Sequence, residues 1–193
     1  MTTGDLSVLL DRIENVQGNL GRAAFMESLQ PGIAAGTVRS LLADAGLQST
    51  RELEELYGWR NGVTTDNRAA IGEITIYPGF FMRALGDALL DYRALVVDPR
   101  WSPSWFPFLT DAGGDFYFVD LQGSENQPVR RFRLVEAEHP VEYESLTSFT
   151  ATLCEAYERK LFFIEQGKYL DMDDYAFNDL AAELNPAVDW WQN

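Results

Sequence analysis

Apolar residues in the first third of the chain recur at helical spacing. Leu6, Leu9, Leu10 and Ile13, and later Phe25 and Leu29, predict helix between residues 5 and 29. Asp5 is placed to cap it, and Gly18 and Gly21 divide it into two short helices. Pro31-Gly32 then breaks the chain, and Thr37 is the predicted cap of a helix that runs through Leu42 and ends near Gly46. Ser49 or Thr50 caps the next helix, RELEELYGW (51–59), in which Leu53, Leu56 and Tyr57 share a face; Asn61-Gly62 is its predicted stop.

The period changes at Ile71. IGEITIY (71–77) alternates apolar and polar positions and predicts a strand that ends at Pro78-Gly79. Residues 82–97 return to helical spacing through Leu85, Leu89 and Tyr92, and Asp98-Pro99 closes that helix. WFPFLT (105–110) and FYFVDL (116–121) flank the turn Asp111-Ala112-Gly113-Gly114-Asp115, which predicts an antiparallel hairpin. VRRFRLV (129–135) and PVEYE (140–144) extend it into a meander.

Ser145 or Thr147 opens a predicted long helix, SFTATLCEAYERKLFFIEQG (148–167), with Phe149, Leu153, Tyr157, Leu161 and Ile164 as its buried stripe and Gly167 as its stop. MDDYAFNDLAAEL (172–184) predicts a short acidic helix, capped near Asp173 and ended by Asn185-Pro186. The order of elements predicts an α+β class: N-terminal helices, a mixed, mostly antiparallel sheet of about five to six strands, and C-terminal helices packed on the sheet.

With 193 residues, 46% of them hydrophobic and 13% aromatic, the chain can bury one sizeable core. The expected organisation is an N-terminal helical extension (1–34), an α+β domain (35–166) and an acidic C-terminal extension (167–193). The only cysteine, Cys154, has no internal disulfide partner, and with one histidine, His139, no Cys/His zinc spacing exists. Residues Met1 to Asp11 lack the pattern of a secretory signal, and no apolar run approaches about 20 residues. A cytoplasmic protein that does not enter the membrane is the expectation.

Charge changes this picture most. Thirty acidic residues face 15 basic ones, a net charge of −15. From Glu136 to Asn193 the count is 13 acidic against 3 basic, so −10 of the −15 lies there. Phosphate backbones would be repelled, which argues against nucleic acid as a partner. A basic protein would be steered toward this end of the chain, although surplus carboxylates also serve solubility alone. The candidate partner-binding residues are Asp115, Glu142, Glu144, Asp171, Asp173 and Asp174.

Signals for other chemistry are weak. His139 precedes Pro140 and sits in no Ser/His/Asp order, so a structural loop histidine is expected. Cys154 falls beside Leu153 on a helical stripe, where it reads as a small buried hydrophobe. Asp111 and Asp115 bracket two glycines without the alternation of a calcium loop, and a turn that needs positive φ at Gly113 or Gly114 explains them; the cluster Asp171, Asp173, Asp174 reads as a loop and helix cap. Neither GxxxxGK[ST] nor GxGxxG follows a strand, so no catalytic set, metal site or cofactor is expected. Trp101, Trp105, Trp190 and Trp191 are either packing residues of the peripheral segments or binding anchors.

Two segments together carry a family likeness. LEELYGWRNGV (53–63) and WFPFLTDAGGDFYFVDL (105–121), through Tyr57, Trp59, Asn61, Gly62, Trp105, Pro107, Phe108, Gly113, Gly114, Asp115, Asp120 and Leu121, resemble the SUKH superfamily of Smi/Knr-type proteins. The resemblance spans residues 35–160 and implies the same order of helices, sheet and closing helix. It further implies a non-catalytic role: an immunity protein that covers a toxin domain, often a nuclease, or alternatively a regulatory scaffold in cell-wall or envelope synthesis. Its motif residues would hold the fold, with Tyr57 and Trp59 at the helix–sheet interface, Asn61-Gly62 ending a helix and Trp105 anchoring the first hairpin strand. The resemblance leaves the oligomeric state open.

Overall fold

In a computed structural model of the protein, residues 5–66, 69–123 and 127–192 are described. Met1 to Gly4 of the N-terminal segment and Asn193 of the tail lie outside them.

α1 (Leu6–Asn19) starts where the Asp5 carboxylate accepts from the Ser7 N–H, and it buries Leu6, Leu9, Leu10 and Ile13. Gly21, at φ 70°, turns the chain into α2 (Ala23–Ser28), so the break between two short helices falls as expected. β1 (Leu29–Pro31) leads to α3 (Ala35–Asp44). Thr37 is not its cap: its N–H already donates to the Ala34 carbonyl, which puts it inside the first turn. In α4 (Arg51–Trp59), Thr50 is the cap, its hydroxyl accepting from the Leu53 N–H at 3.2 Å.

Asn61-Gly62 does not end α4. The chain becomes extended at Arg60 and enters β2 (Arg60–Val63), paired antiparallel with β1, and both residues lie within that strand. Gly62, at φ 70°, runs against the start of the next helix, where a β-carbon would sit 2.4 Å from the Ala84 nitrogen. The Asn61 side chain accepts from the Leu85 N–H at 2.9 Å, so this dipeptide begins a helix instead of stopping one.

The strand expected over 71–77 is absent. Ile71–Glu73 is a 3-10 turn, closed by the Glu73 carboxylate on the Ala70 N–H. Its carbonyls are already engaged: buried Arg22 donates to Glu73 and Thr75 at 3.0 and 2.6 Å. Tyr77 then bridges back to Phe80 around Pro78-Gly79, and only β3 (Phe81–Met82) joins the sheet.

After α5 (Leu85–Leu95) come β4 (Trp105–Thr110), β5 (Phe116–Asp120), β6 (Val129–Phe132) and β7 (Val141–Tyr143). Together with β3 they form a five-stranded sheet in the order β3-β4-β5-β6-β7, and each of its pairs is antiparallel. β6 stops at Phe132, short of the run that predicted it, because the Leu134 N–H turns to the Asp115 carboxylate.

α6 (Leu146–Glu158) is capped twice at its start. Ser145 accepts from the Ser148 N–H, and Glu52 of α4 accepts from the N–H groups of Leu146 and Thr147. It ends much earlier than expected. Lys160 adopts φ 59°, Leu161 N–H donates back to the Ala156 carbonyl, and Lys160 N–H donates to Tyr157. Residues 162–167 therefore leave the helix. β8 (Phe162–Glu165) and β9 (Tyr169–Met172) form a hairpin through Gln166 and Gly167, both at positive φ. α7 (Asp174–Leu184) follows, capped by Asp173, and a 3-10 turn spans Asp189–Gln192.

One core cluster runs from Leu6 through Ala181, so α1 and α7 supply the same interior as the central residues. Phe149 of α6 sits at its centre, 5.6 Å from the rings of Phe108 and Tyr117 and 5.0 Å from Tyr143. Tyr57 meets Phe106 edge-on at the α4–sheet contact, while Trp59 is only partly buried there. The opposite face of the sheet carries Trp101, Phe118 and Phe132, with Trp105 stacked on Phe118 at 4.3 Å. The class is α+β, with helices packed on one face of an antiparallel sheet.

Gly62 and Gly79 separate crowding from backbone strain, since both have positive φ but nothing lies within 4 Å of a β-carbon at Gly79. Gly62→Ala is expected to cost about 3 kcal/mol or more, and Gly79→Ala roughly 1 kcal/mol, in urea unfolding at equilibrium.

Candidate functional site

The positive charge of this chain is largely consumed inside it. Among the described residues, ten arginines stand in ion pairs with carboxylates. Arg22 is buried on backbone carbonyls instead. Among the carboxylates left over, one group lies on β8–β9 and α7. Glu165, Asp171, Asp173, Asp174 and Asp179 take part in none of the described ion pairs.

The hairpin register sets which residues face outward. Phe162 and Ile164 pair with Met172 and Leu170 on the core side, with Phe162 stacked on Phe177 at 5.4 Å. Phe163 and Glu165 pair with Asp171 and Tyr169 on the other side. Phe163 is 44% exposed, and Tyr175, one residue into α7 from Asp174, is 88% exposed. Two apolar rings and a row of unpaired carboxylates thus share one end of the molecule. The cation beside them, Lys168, lies 4.7 Å over the Tyr169 ring and 3.9 Å from Glu73.

The six expected partner-binding residues divide unevenly. Asp171, Asp173 and Asp174 come together on this face. Asp171 accepts only from the N–H of its neighbour Met172 among the described bonds, whereas Asp173 accepts from the Ala176 N–H and caps α7. Glu144 is exposed just beyond β7. Asp115 is turned inward, pairing with Arg131 at 3.0 Å and accepting from the Leu134 N–H.

Glu142 does not belong to a binding surface, because it is 1% exposed. Its carboxylate accepts from the Tyr117 hydroxyl at 2.9 Å and from Arg133 at 2.6 Å. Burial raises its affinity for a proton, and Arg133 and the Tyr117 hydroxyl oppose that. The β6–β7 register shifts at Glu142, between the Val129–Tyr143 and Arg130–Val141 pairs, so it does not alternate with Tyr143, and the Trp191 indole donates to its carbonyl.

Phe163, Glu165 and Tyr175 are the surface residues that sequence reasoning missed. The helical stripe drawn through Leu161 and Ile164 hid a second pattern: two short runs rich in apolar residues, Phe162–Glu165 and Tyr169–Met172, around Gln166-Gly167, which is a hairpin signal.

The motif residues are structural. Asp120 accepts from Ser104, the Gln122 N–H and Arg130, tying the end of β5 to both neighbours. Pro107 lies at the β4 irregularity between Pro107 and Leu109. In the β4–β5 turn, Asp111 accepts from the N–H groups of Gly113, Gly114 and Asp115, with Ala112 and Gly114 at positive φ. Both carboxylates of that turn are engaged by protein donors.

Cys154 is buried, donates to the Leu9 carbonyl, and burial pushes its thiol up to about 11. His139 packs on Phe132 at 4.3 Å, and its Nδ1 accepts from the Arg133 N–H. Among the described residues no helix is long and apolar enough to cross a membrane, and no cluster of three or more potential ligand side chains is placed to hold a metal. No protein-family model matches the chain, and no curated protein matches it.

Burial, with Arg100 and Arg133 nearby, lowers the His139 pKa below its ordinary 6.5. Such a group contributes stability that is present above the unfolded-state value and lost as pH falls through the folded-state value. The single imidazole resonance is therefore expected to titrate below pH 6.5 by NMR. His139→Gln is expected to shrink the loss of urea stability between pH 7.5 and the acid side of that midpoint, relative to the native chain.

Proposed function

We propose that this protein is a cytoplasmic protein-binding module of the immunity type, which neutralises a toxin domain by covering its basic face. The observation that carries the reading is the surface of β8–β9 and early α7: Glu165, Asp171 and Asp174, which take part in none of the described ion pairs, beside exposed Phe163 and Tyr175. A nuclease presents a basic surface to its phosphate substrate, and carboxylates can take the place of those phosphates. Exposed aromatic rings within a charged rim supply the apolar contact area on which affinity depends. The SUKH-like segments at 53–63 and 105–121 support the same reading, as a rigid platform that presents this surface. The free, buried Cys154 suits a reducing compartment.

The test is co-expression with nuclease-type toxin domains encoded beside the gene. The native chain is expected to restore growth and to bind the toxin with an affinity that falls as salt rises. Glu165→Lys, Asp171→Lys and Asp174→Lys together are expected to weaken binding by about 100-fold or more with little change in melting temperature. Asp173 is left intact because it caps α7. Full protection by the triple variant would overturn the reading, and an envelope defect on deletion in a toxin-free strain would favour the scaffold role.

A further inference from the structure

β7 is the last strand of the main sheet, and beside it runs an open groove of ≈ 470 Å3. Pro140, Val141 and Val188 contribute to its apolar lining, and Glu144, Asp189 and Trp190 also line it. The groove is poorly suited to an added strand. β7 has only three residues, and the Trp191 indole N–H already occupies the carbonyl of the middle one, Glu142.

Its side chains suit a cation. Trp190 already accepts one: the Arg133 guanidinium lies 4.6 Å from its ring centroid, and the indole remains 38% exposed. Arg133 is neutralised by Glu142, so it does not offset the charge of the groove. Glu144 is exposed and takes part in none of the described ion pairs. An indole face and a free carboxylate over an apolar lining recognise a planar, weakly hydrated cation better than a compact ammonium.

We propose that this groove takes an arginine side chain of the basic partner protein, its guanidinium against the exposed part of the Trp190 indole and paired with Glu144. The inference rests on the proposed function for the identity of the partner and adds a second, specific anchor to it.

The test needs no toxin. The full chain is titrated with the peptide Gly-Gly-Arg-Gly-Gly and with its citrulline counterpart, and the backbone amide resonances of Val141, Glu144 and Val188 are followed. Arginine is expected to give saturable shifts at these positions and citrulline none. Glu144→Gln, a surface change, is expected to weaken binding about threefold or more, as is Trp190→Leu, while Trp190→Tyr retains most of it. Shifts that never saturate, citrulline matching arginine, or Glu144→Gln binding as the native chain would each overturn the inference. A failed titration alongside charge-dependent protection from toxin sinks only the groove. A successful titration with no protection supports the groove and sinks the immunity reading.

Discussion

The fold follows from β5 being apolar on both sides. Tyr117 and Val119 face the helices, and Phe118 faces away, and all three are almost fully buried. A strand of this kind cannot sit at a water-exposed face, so each side needs a cover. α6, driven in through Phe149, covers one side, with α1 and α4 behind it. On the other side Trp101 and Trp105, with Leu95 at the end of α5, close over Phe118 and Phe132. The tryptophans of this stretch are thereby committed to packing.

Burying so much of the sheet brings charged side chains in with it, and these meet partners. Glu142 meets Arg133 and Tyr117, and Arg131 lies over Phe80 and Tyr117 while pairing with Asp115. Arg22 holds the carbonyls of a segment that has no strand partner. Buried pairs of this kind add little net stability, but removing one partner leaves a charge stranded, commonly at a cost of about 3–5 kcal/mol. They act as specificity devices in the interior, and they draw on the chain's small supply of arginine.

The surface is the complement of that interior. With most guanidiniums engaged by carboxylates, part of the remaining negative charge lies where the helix α6 gives way to a hairpin. The early end of α6 is what creates the face: had the helix continued to Gly167, Phe163 would have fallen on a helical stripe and the pairing of Phe163 with Asp171 would not exist. The β7 groove arises from the same economy, because Arg133 serves Glu142 on its polar side and Trp190 on its flat side.

Much of this was legible in the residue pattern. Local capping chemistry placed α1, α4 and α7 through Asp5, Thr50 and Asp173, and two apolar runs around a Gly-containing turn placed the β4–β5 hairpin, because these signals act over a few residues. The acidity of the last third was equally plain. Decisions that rest on distant partners were hidden. Arg22, 51 and 53 residues away, engages the carbonyls of Glu73 and Thr75 in a run that reads as alternating strand in isolation, and Phe162 stacks on Phe177 where the sequence pattern predicts helix. Glu142 and Glu144 look equivalent along the chain, yet one is buried on Arg133 and the other faces solvent. Local sequence determined where elements start and turn; only packing decided which charges remained free to meet a partner, because burial and pairing depend on neighbours that the linear order does not place side by side.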